Sequence, residues 1–196
     1  MKGSLEMVIG PMFAGKSTEL MRQINRDAAI GLPYAVVNHH LDSQRYQSPG
    51  VSTHPTAAGK QTICASVLDS LMPFIATDSF REAATVYINE AQFFPDLLQF
   101  VKTCVVRFPD KRIVICGLDG DSSQEPFKQV VQCIPYADKI RKLLAQCIVC
   151  KDGTLAPYTI RRGDASPTRV RVGGAEMYSP VCRSHLLDPE TADRAL

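Results

Sequence analysis

The run Gly10-Pro11-Met12-Phe13-Ala14-Gly15-Lys16-Ser17 leaves a chain few ways to fold. It reads G-x-x-x-x-G-K-S/T and stands between an apolar strand signal, Leu5 to Ile9, and a helical pattern. Leu20, Met21, Ile24 and Ala28 recur at helical spacing before Gly31, with Ser17 the expected cap. The glycines of such a loop let backbone N–H groups turn inward around a triphosphate, and the helix amino terminus adds positive potential. Lys16 then reaches the β and γ phosphates, and the Ser17 hydroxyl is placed to ligate Mg²⁺.

The rest of the chain continues the strand and helix alternation. Tyr34 to Asn38, Thr85 to Ile88 and Arg112 to Cys116 read as strands, while Val67 to Met72, Ser79 to Ala83 and Pro95 to Phe108 read as helical. The expected fold class is therefore α/β: a P-loop, RecA-like parallel sheet flanked by helices. Between them, His39 to Ala65 is rich in Ser, Thr, Gln, His, Pro and Gly, and reads as an exposed excursion with little regular structure. Beyond Leu144 the sequence turns to short, turn-rich pieces. The expected division is a nucleotide-binding domain over 1–144, a small module over 145–186 and a polar tail over 187–196.

Composition narrows the partners. No apolar run approaches the roughly 18 to 20 residues that span a bilayer, so no membrane association is expected. A net charge of +2 without a block of Lys or Arg gives no footprint for a nucleic-acid polymer. Met1 to Gly10 lacks the pattern of a secretory or transit peptide, which makes a cytoplasmic location the expectation. Seven cysteines in such a chain read as reduced thiols. Cys64, Cys104, Cys116 and Cys133 stand alone in apolar surroundings and are expected to be small buried hydrophobes.

Cys147 and Cys150 form one pair with a two-residue gap, and Cys182 and His185 another. Four soft ligands in two tight turns suit tetrahedral Zn²⁺, and with all four positions filled by protein the site reads as structural. The segment between, with Arg161-Arg162-Gly163-Asp164 and Arg169 to Gly174, becomes a loop fixed at its base. Glu90 is the one ionisable residue in Asn89 to Phe94. It is expected one step beyond a strand next to the P-loop strand, pointing into the crevice at the carboxyl edge of the sheet. There it serves either as a general base or as a cap for the following loop.

Four runs, Gly10 to Leu20, Glu90 to Phe94, Gly117 to Asp121 and Val172 to Arg183, together resemble the type II thymidine kinase family over Leu5 to His185. The resemblance implies transfer of the ATP γ-phosphate to the 5′-hydroxyl of thymidine, with Mg²⁺, a structural Zn²⁺ and usually a homotetramer. It implies Glu90 as proton acceptor, acting with Lys16. It extends the ATP and Mg²⁺ set to Thr18, Asp42, Arg45, Asn89 and Gln92. It places Met12, Phe93, Leu118, Phe127 and Tyr178 around the nucleoside, Thr159 near the base, and the backbone of Arg169, Val170, Arg171, Val172 and Gly173 along the pyrimidine edge. Either Arg45 or Arg161 is implied to stabilise phosphoryl charge. The chain departs from the family at Asn89, where Asp is usual, and at Ser122, where an aromatic residue is usual.

Two other functions use the same residues. A P-loop NTPase would use Glu90 to activate water and release phosphate without a nucleoside. A catalytically impaired nucleotide-binding domain would bind ligands without turnover, and Asn89 and Ser122 are the residues that favour it.

Overall fold

The computed structural model describes residues 3–46, 50–52, 62–162 and 173–188, with backbone alone at 44–46 and 52. Strand β1 (Ser4–Ile9) runs into the loop Gly10 to Gly15, and helix α1 (Lys16–Ala29) leaves it. There follow β2 (Tyr34–His39), α2 (His40–Tyr46), β3 (Gly50–Ser52), β4 (Thr62–Cys64), β5 (Ser66–Leu68), α3 (Asp78–Glu82), β6 (Thr85–Ile88), α4 (Leu97–Arg107), β7 (Arg112–Gly117), α5 (Lys128–Val131) and β8 (Lys139–Lys142). The last part comprises β9 (Ala145–Gln146), β10 (Leu155–Ala156), β11 (Tyr158–Arg161), β12 (Tyr178–Val181) and α6 (Arg183–Leu187).

Six strands form one sheet in the order β5-β2-β6-β7-β1-β8, with every neighbouring pair parallel. Parallel sheets need cover on both faces, which is why the central strands read as continuous apolar runs. Alternation along the strands sends Met7, Val37, Val86, Ile88, Ile113 and Ile115 to one face, under Phe80, Phe94, Leu97 and Phe100. Val36, Tyr87, Val114 and Cys116 go to the other, against Leu20, Met21 and Ile24 of α1. Phe80 is fully buried, with ring contacts to Phe74, Phe100 and Phe108 at 5.8, 6.1 and 5.0 Å and the Lys111 ammonium 4.9 Å from its ring centre. Phe80→Ala leaves that cluster a cavity and is expected to lower stability by about 3–5 kcal/mol, read as an earlier midpoint in urea unfolding.

Several expectations are corrected. Val67 to Met72 is not a helix: Ser66, Val67 and Leu68 pair with Val37, Asn38 and His39 as strand β5, and a 3-10 turn follows over Met72–Ala76. A short apolar run carries no period that separates the two, and the open edge of β2 decides it. His39 to Ala65 holds more regular structure than its composition implies, with α2 and the antiparallel pair β3/β4. Val51 explains the pairing, since it is buried in the α1-side cluster. Helix α4 starts at Leu97, two residues after Pro95. At α1 the cap is Gly15, at φ +78°, and Ser17 lies inside the first turn. Strand β8, rich in Lys and Arg at the sheet edge, had no apolar signal to betray it. Cys104, Cys116 and Cys133 are buried as expected, whereas Cys64 is exposed on its short strand.

Candidate active site and metal centre

All six parallel strands point their carboxyl ends to one edge, where open α/β sheets bind ligands. Gly10 sits there at φ +143°, and a Cβ on it would lie 2.2 Å from the Leu143 carbonyl oxygen, so only glycine lets the chain turn out of β1. Phe13 holds a positive φ of 64° in the middle of the loop. Lys16 is buried and donates from Nζ to the Pro11 carbonyl at 2.6 Å, folded back over its own loop. Burial pulls its pKa below the usual lysine value, opposed by the charges of Glu90 and Asp119 and by Cys116. Ser17 and Thr18 open α1, where the amino-terminal N–H groups and dipole favour an anion.

Glu90 follows β6, but β6 is not next to β1, because β7 lies between them. Local sequence does not encode the order of parallel strands; Glu90 stands at the carboxyl edge that all six strands share. Glu90 occupies the left-handed region at φ 49° and its carboxylate accepts from Gln92 Nε2 at 2.5 Å. Gln92 Oε1 in turn accepts from the Leu118 N–H at 2.9 Å, tying the Glu90 turn to the end of β7. A Cβ at Gly117 would stand 2.8 Å from that same Gln92 oxygen, so this glycine keeps room for the bridge. Leu118, Ser122 and Phe127 lie half-buried along the segment after β7, and Phe93 packs at 5.6 Å from the His39 ring. Asp119, which the sequence reading passed over, pairs with Lys142 at 2.7 Å.

Asn89 is buried, and its Nδ2 donates to Asn38 Oδ1 at 3.1 Å. Its own Oδ1 has no hydrogen-bond partner among the described residues. Asn38 Nδ2 donates to the buried Asp42 carboxylate at 2.9 Å. The Asp42 carboxylate and the Asn89 oxygen, linked through Asn38, and the Ser17 hydroxyl at the start of α1 are hard oxygen donors of the kind a cation such as Mg²⁺ takes, and in chemistry they suit that ion. The side chain of Arg45 and residues Arg169, Val170, Arg171 and Val172 lie outside the described set. Gly173 is inside it: a Cβ there would meet Met177 Sδ at 2.4 Å.

The second centre is built by β9 to β12 and α6. Cys147, Cys150, Cys182 and His185 bring their ligand atoms within 4.8 Å of one another. Cys150 and Cys182 sulfurs are 3.8 Å apart, and His185 Nδ1 lies 3.5, 3.4 and 3.2 Å from Cys147, Cys150 and Cys182. Tetrahedral Zn²⁺, at about 2.3 Å from sulfur and about 2.0–2.1 Å from nitrogen, spaces two sulfurs by about 3.8 Å and sulfur from nitrogen by about 3.5 Å. The cluster is therefore shaped to hold a structural metal. Burial raises the Cys147 thiol pKa, but backbone N–H groups of Cys150, Cys182 and Val149 outweigh it and bring the value below that of a free cysteine, toward the thiolate a metal needs.

This module touches the phosphate loop directly. Phe13 and Ala14 pack against the cluster of Ala145, Cys147, Ala156, Val181 and Cys182. The Met12 N–H donates to Thr159 Oγ1 at 3.0 Å, from the hairpin β11/β12. Tyr178, buried opposite Arg161 on that hairpin, accepts from Arg161 Nη2 at 3.3 Å with the guanidinium 5.7 Å from its ring centre. The structure thus brings Met12, Thr159 and the metal cluster into one contact region. Glu90, Gln92 and Leu118 form another.

A profile of thymidine kinases matches residues 3–186. The chain is 39% identical over 189 residues to thymidine kinase a of Arabidopsis thaliana, covering 94% of this chain and 75% of that protein. It is 36% identical over 188 residues to a thymidine kinase of Oryza sativa subsp. japonica, covering 95% and 67%. Against the cytosolic thymidine kinase of Homo sapiens it is 32% identical over 185 residues, covering 93% and 72%. Phosphate loop, crevice carboxylate and four-ligand cluster thus sit within a match that runs nearly end to end, and the chain belongs to the thymidine kinase family.

Proposed function

We propose that this protein is an ATP-dependent thymidine kinase that makes thymidine 5′-monophosphate for pyrimidine deoxynucleotide salvage. The observation that carries this reading is that Lys16, at the start of the helix after β1, and Glu90, just after β6, both stand at the carboxyl edge shared by the parallel strands. Backbone N–H groups of Phe13 to Thr18 cradle the triphosphate. Lys16 leaves the Pro11 carbonyl for the β and γ phosphates and offsets charge as it moves to the leaving oxygen. The thymidine 5′-hydroxyl gives its proton to Glu90 while its oxygen attacks the γ-phosphorus in line, and ADP departs. Ser17, Asp42 and Asn89 would hold Mg²⁺, which would supply positive charge to the phosphates.

Met12, Phe93, Leu118, Ser122, Phe127, Thr159 and Tyr178 form the nucleoside side of this site, and Arg169 to Gly173 supply backbone groups to the pyrimidine. Arg45 or Arg161 stabilises phosphoryl charge. Residues 1–144 carry the nucleotide, 145–186 the metal and nucleoside module, and the cluster holds Zn²⁺. The homotetramer rests on the family resemblance, and the cytoplasmic location on the name of the human relative. No helix among the described residues is long and apolar enough to cross a membrane.

The test is ADP formation from ATP and Mg²⁺ across a panel of nucleosides. Turnover that requires thymidine supports the kinase. Equal ADP release without any nucleoside identifies an NTPase, and nucleotide binding with no turnover identifies an impaired domain.

A further inference from the structure

Asn38 lies at the carboxyl end of β2, fully buried, and spends every hydrogen-bonding position of its amide. Its Nδ2 donates to Asp42 Oδ2 at 2.9 Å and to the Gly50 carbonyl at 3.4 Å. Its Oδ1 accepts from the His39 N–H at 3.0 Å and from Asn89 Nδ2 at 3.1 Å. The direction of this amide is settled by its neighbours: a backbone N–H only donates and a backbone carbonyl only accepts. Asn38 Oδ1 therefore has to face Asn89 as an acceptor, and Asn89 has to answer with its NH₂. The Asn89 oxygen is driven to the opposite side, where it has no partner among the described residues.

That side is not arbitrary. Val37 pairs with Ile88, so Asn38 and Asn89 continue the same register one step on. Strand alternation puts both on the face of Val36 and Tyr87, the face covered by α1. Strand β2 lies on one side of β6, and β1 with its phosphate loop lies on the other, beyond β7. A buried carbonyl oxygen left without a partner is costly, and a ligand that meets it recovers the loss.

We infer that Asn38 is a positioning residue for the cation and triphosphate site: it aims the Asn89 carbonyl oxygen at the metal or its water, and it holds the Asp42 carboxylate that supplies negative charge in place of an acid at 89. Asn38 touches neither nucleotide nor metal; it acts through Asn89 and Asp42. A hub that offers an acceptor to position 89 is matched to an amide there and mismatched to a carboxylate. Asn89→Asp sets an oxygen against Asn38 Oδ1, and the hub cannot turn without abandoning His39 N–H and the Gly50 carbonyl. This inference rests on the phosphate-loop site proposed above.

The experiment uses the full chain with Mn²⁺, which accepts the same hard oxygen donors as Mg²⁺, and the ATP analogue with a β,γ-imido bridge. Water-proton relaxation enhancement reports the Kd of the protein, Mn²⁺ and nucleotide complex, and metal-free nucleotide binding is measured alongside by calorimetry. Asn38→Leu is expected to weaken the Mn²⁺ complex about 10- to 100-fold, with metal-free binding unchanged. Asn89→Leu is expected to weaken the Mn²⁺ complex as well, and the double variant to lose less than the product of the two single losses, because the part of the Asn38 effect that runs through Asn89 is already gone while the part through Asp42 remains. Asn89→Asp keeps the hub's other partners, tests the inference should Asn38→Leu fail to fold, and is expected to give no gain in Mn²⁺ affinity. A tighter complex in Asn89→Asp, or losses that multiply in the double variant, overturns the inference. So does an Asn38→Leu complex as tight as wild type. If wild type forms no complex with Mn²⁺ and nucleotide, the site reading itself falls, and the inference with it.

Discussion

Glu90→Gln is expected to lower thymidine phosphorylation by about 10²–10⁴-fold, the usual worth of a positioned general base. The substitution is nearly isosteric, and an amide oxygen at 90 still accepts from Gln92 Nε2, so the bridge from Gln92 to the Leu118 N–H stays intact. The fold, the ATP affinity and the thermal midpoint are then unchanged, and the loss falls on kcat. Proton inventory distinguishes this from a structural defect, because only the variant that cannot accept the 5′-hydroxyl proton loses the reaction while retaining both substrates. Equal falls in ATP binding and kcat would instead mark Glu90 as a structural residue of the turn that leads into Ala91.

Removal of the cluster metal is the second large effect, and it should be felt at the phosphate loop. Cys150→Ala takes away one of four ligands, and bound zinc should fall from about one ion per chain to under about 0.2. Loss of a structural metal belongs to the most severe single-site changes, here about 4 kcal/mol. For a chain of this size about 2–4 °C of Tm accompanies each kcal/mol, so Tm drops by about 8–16 °C. The hairpins β9/β10 and β11/β12 have only two to four pairs each and no shared sheet; apart from the metal ligands, a small apolar cluster and the Ile148 N–H bond to the Pro180 carbonyl join them. Once they loosen, Phe13 and Ala14 lose their packing and the Met12 N–H loses Thr159 Oγ1. ATP affinity measured by calorimetry should therefore fall together with zinc content. Unchanged ATP affinity in zinc-free, folded protein would show that the contact between module and loop carries no coupling.

What the sequence displayed and what it hid separate along one physical line. Gly10 to Ser17 and the two ligand pairs are local patterns whose chemistry depends on spacing of a few residues, and the structure holds them as loop and cluster. Strand order is not local: nothing in Thr85 to Ile88 tells that β7 separates it from β1. Ser66 to Leu68 became a strand because β2 had a free edge, not because Val67 and Leu68 prefer one period. Asn38 left no trace at all, since its effect rests on a partner 51 positions away whose role depends on which end of an amide faces it. Gln92 was singled out for nucleotide, and in the structure its two amide ends bridge Glu90 and Leu118. Burial of polar groups, settled only by the folded surroundings, is the common factor in these omissions.

The destination of the γ-phosphate separates a thymidine kinase from an NTPase and from an impaired domain. Wild-type protein with thymidine, Mg²⁺ and ATP labelled in the γ-phosphate should place the label on the 5′-oxygen of thymidine, with none in inorganic phosphate beyond a protein-free control. Label released as inorganic phosphate, or left on ATP by folded protein that binds both substrates, would contradict the kinase reading.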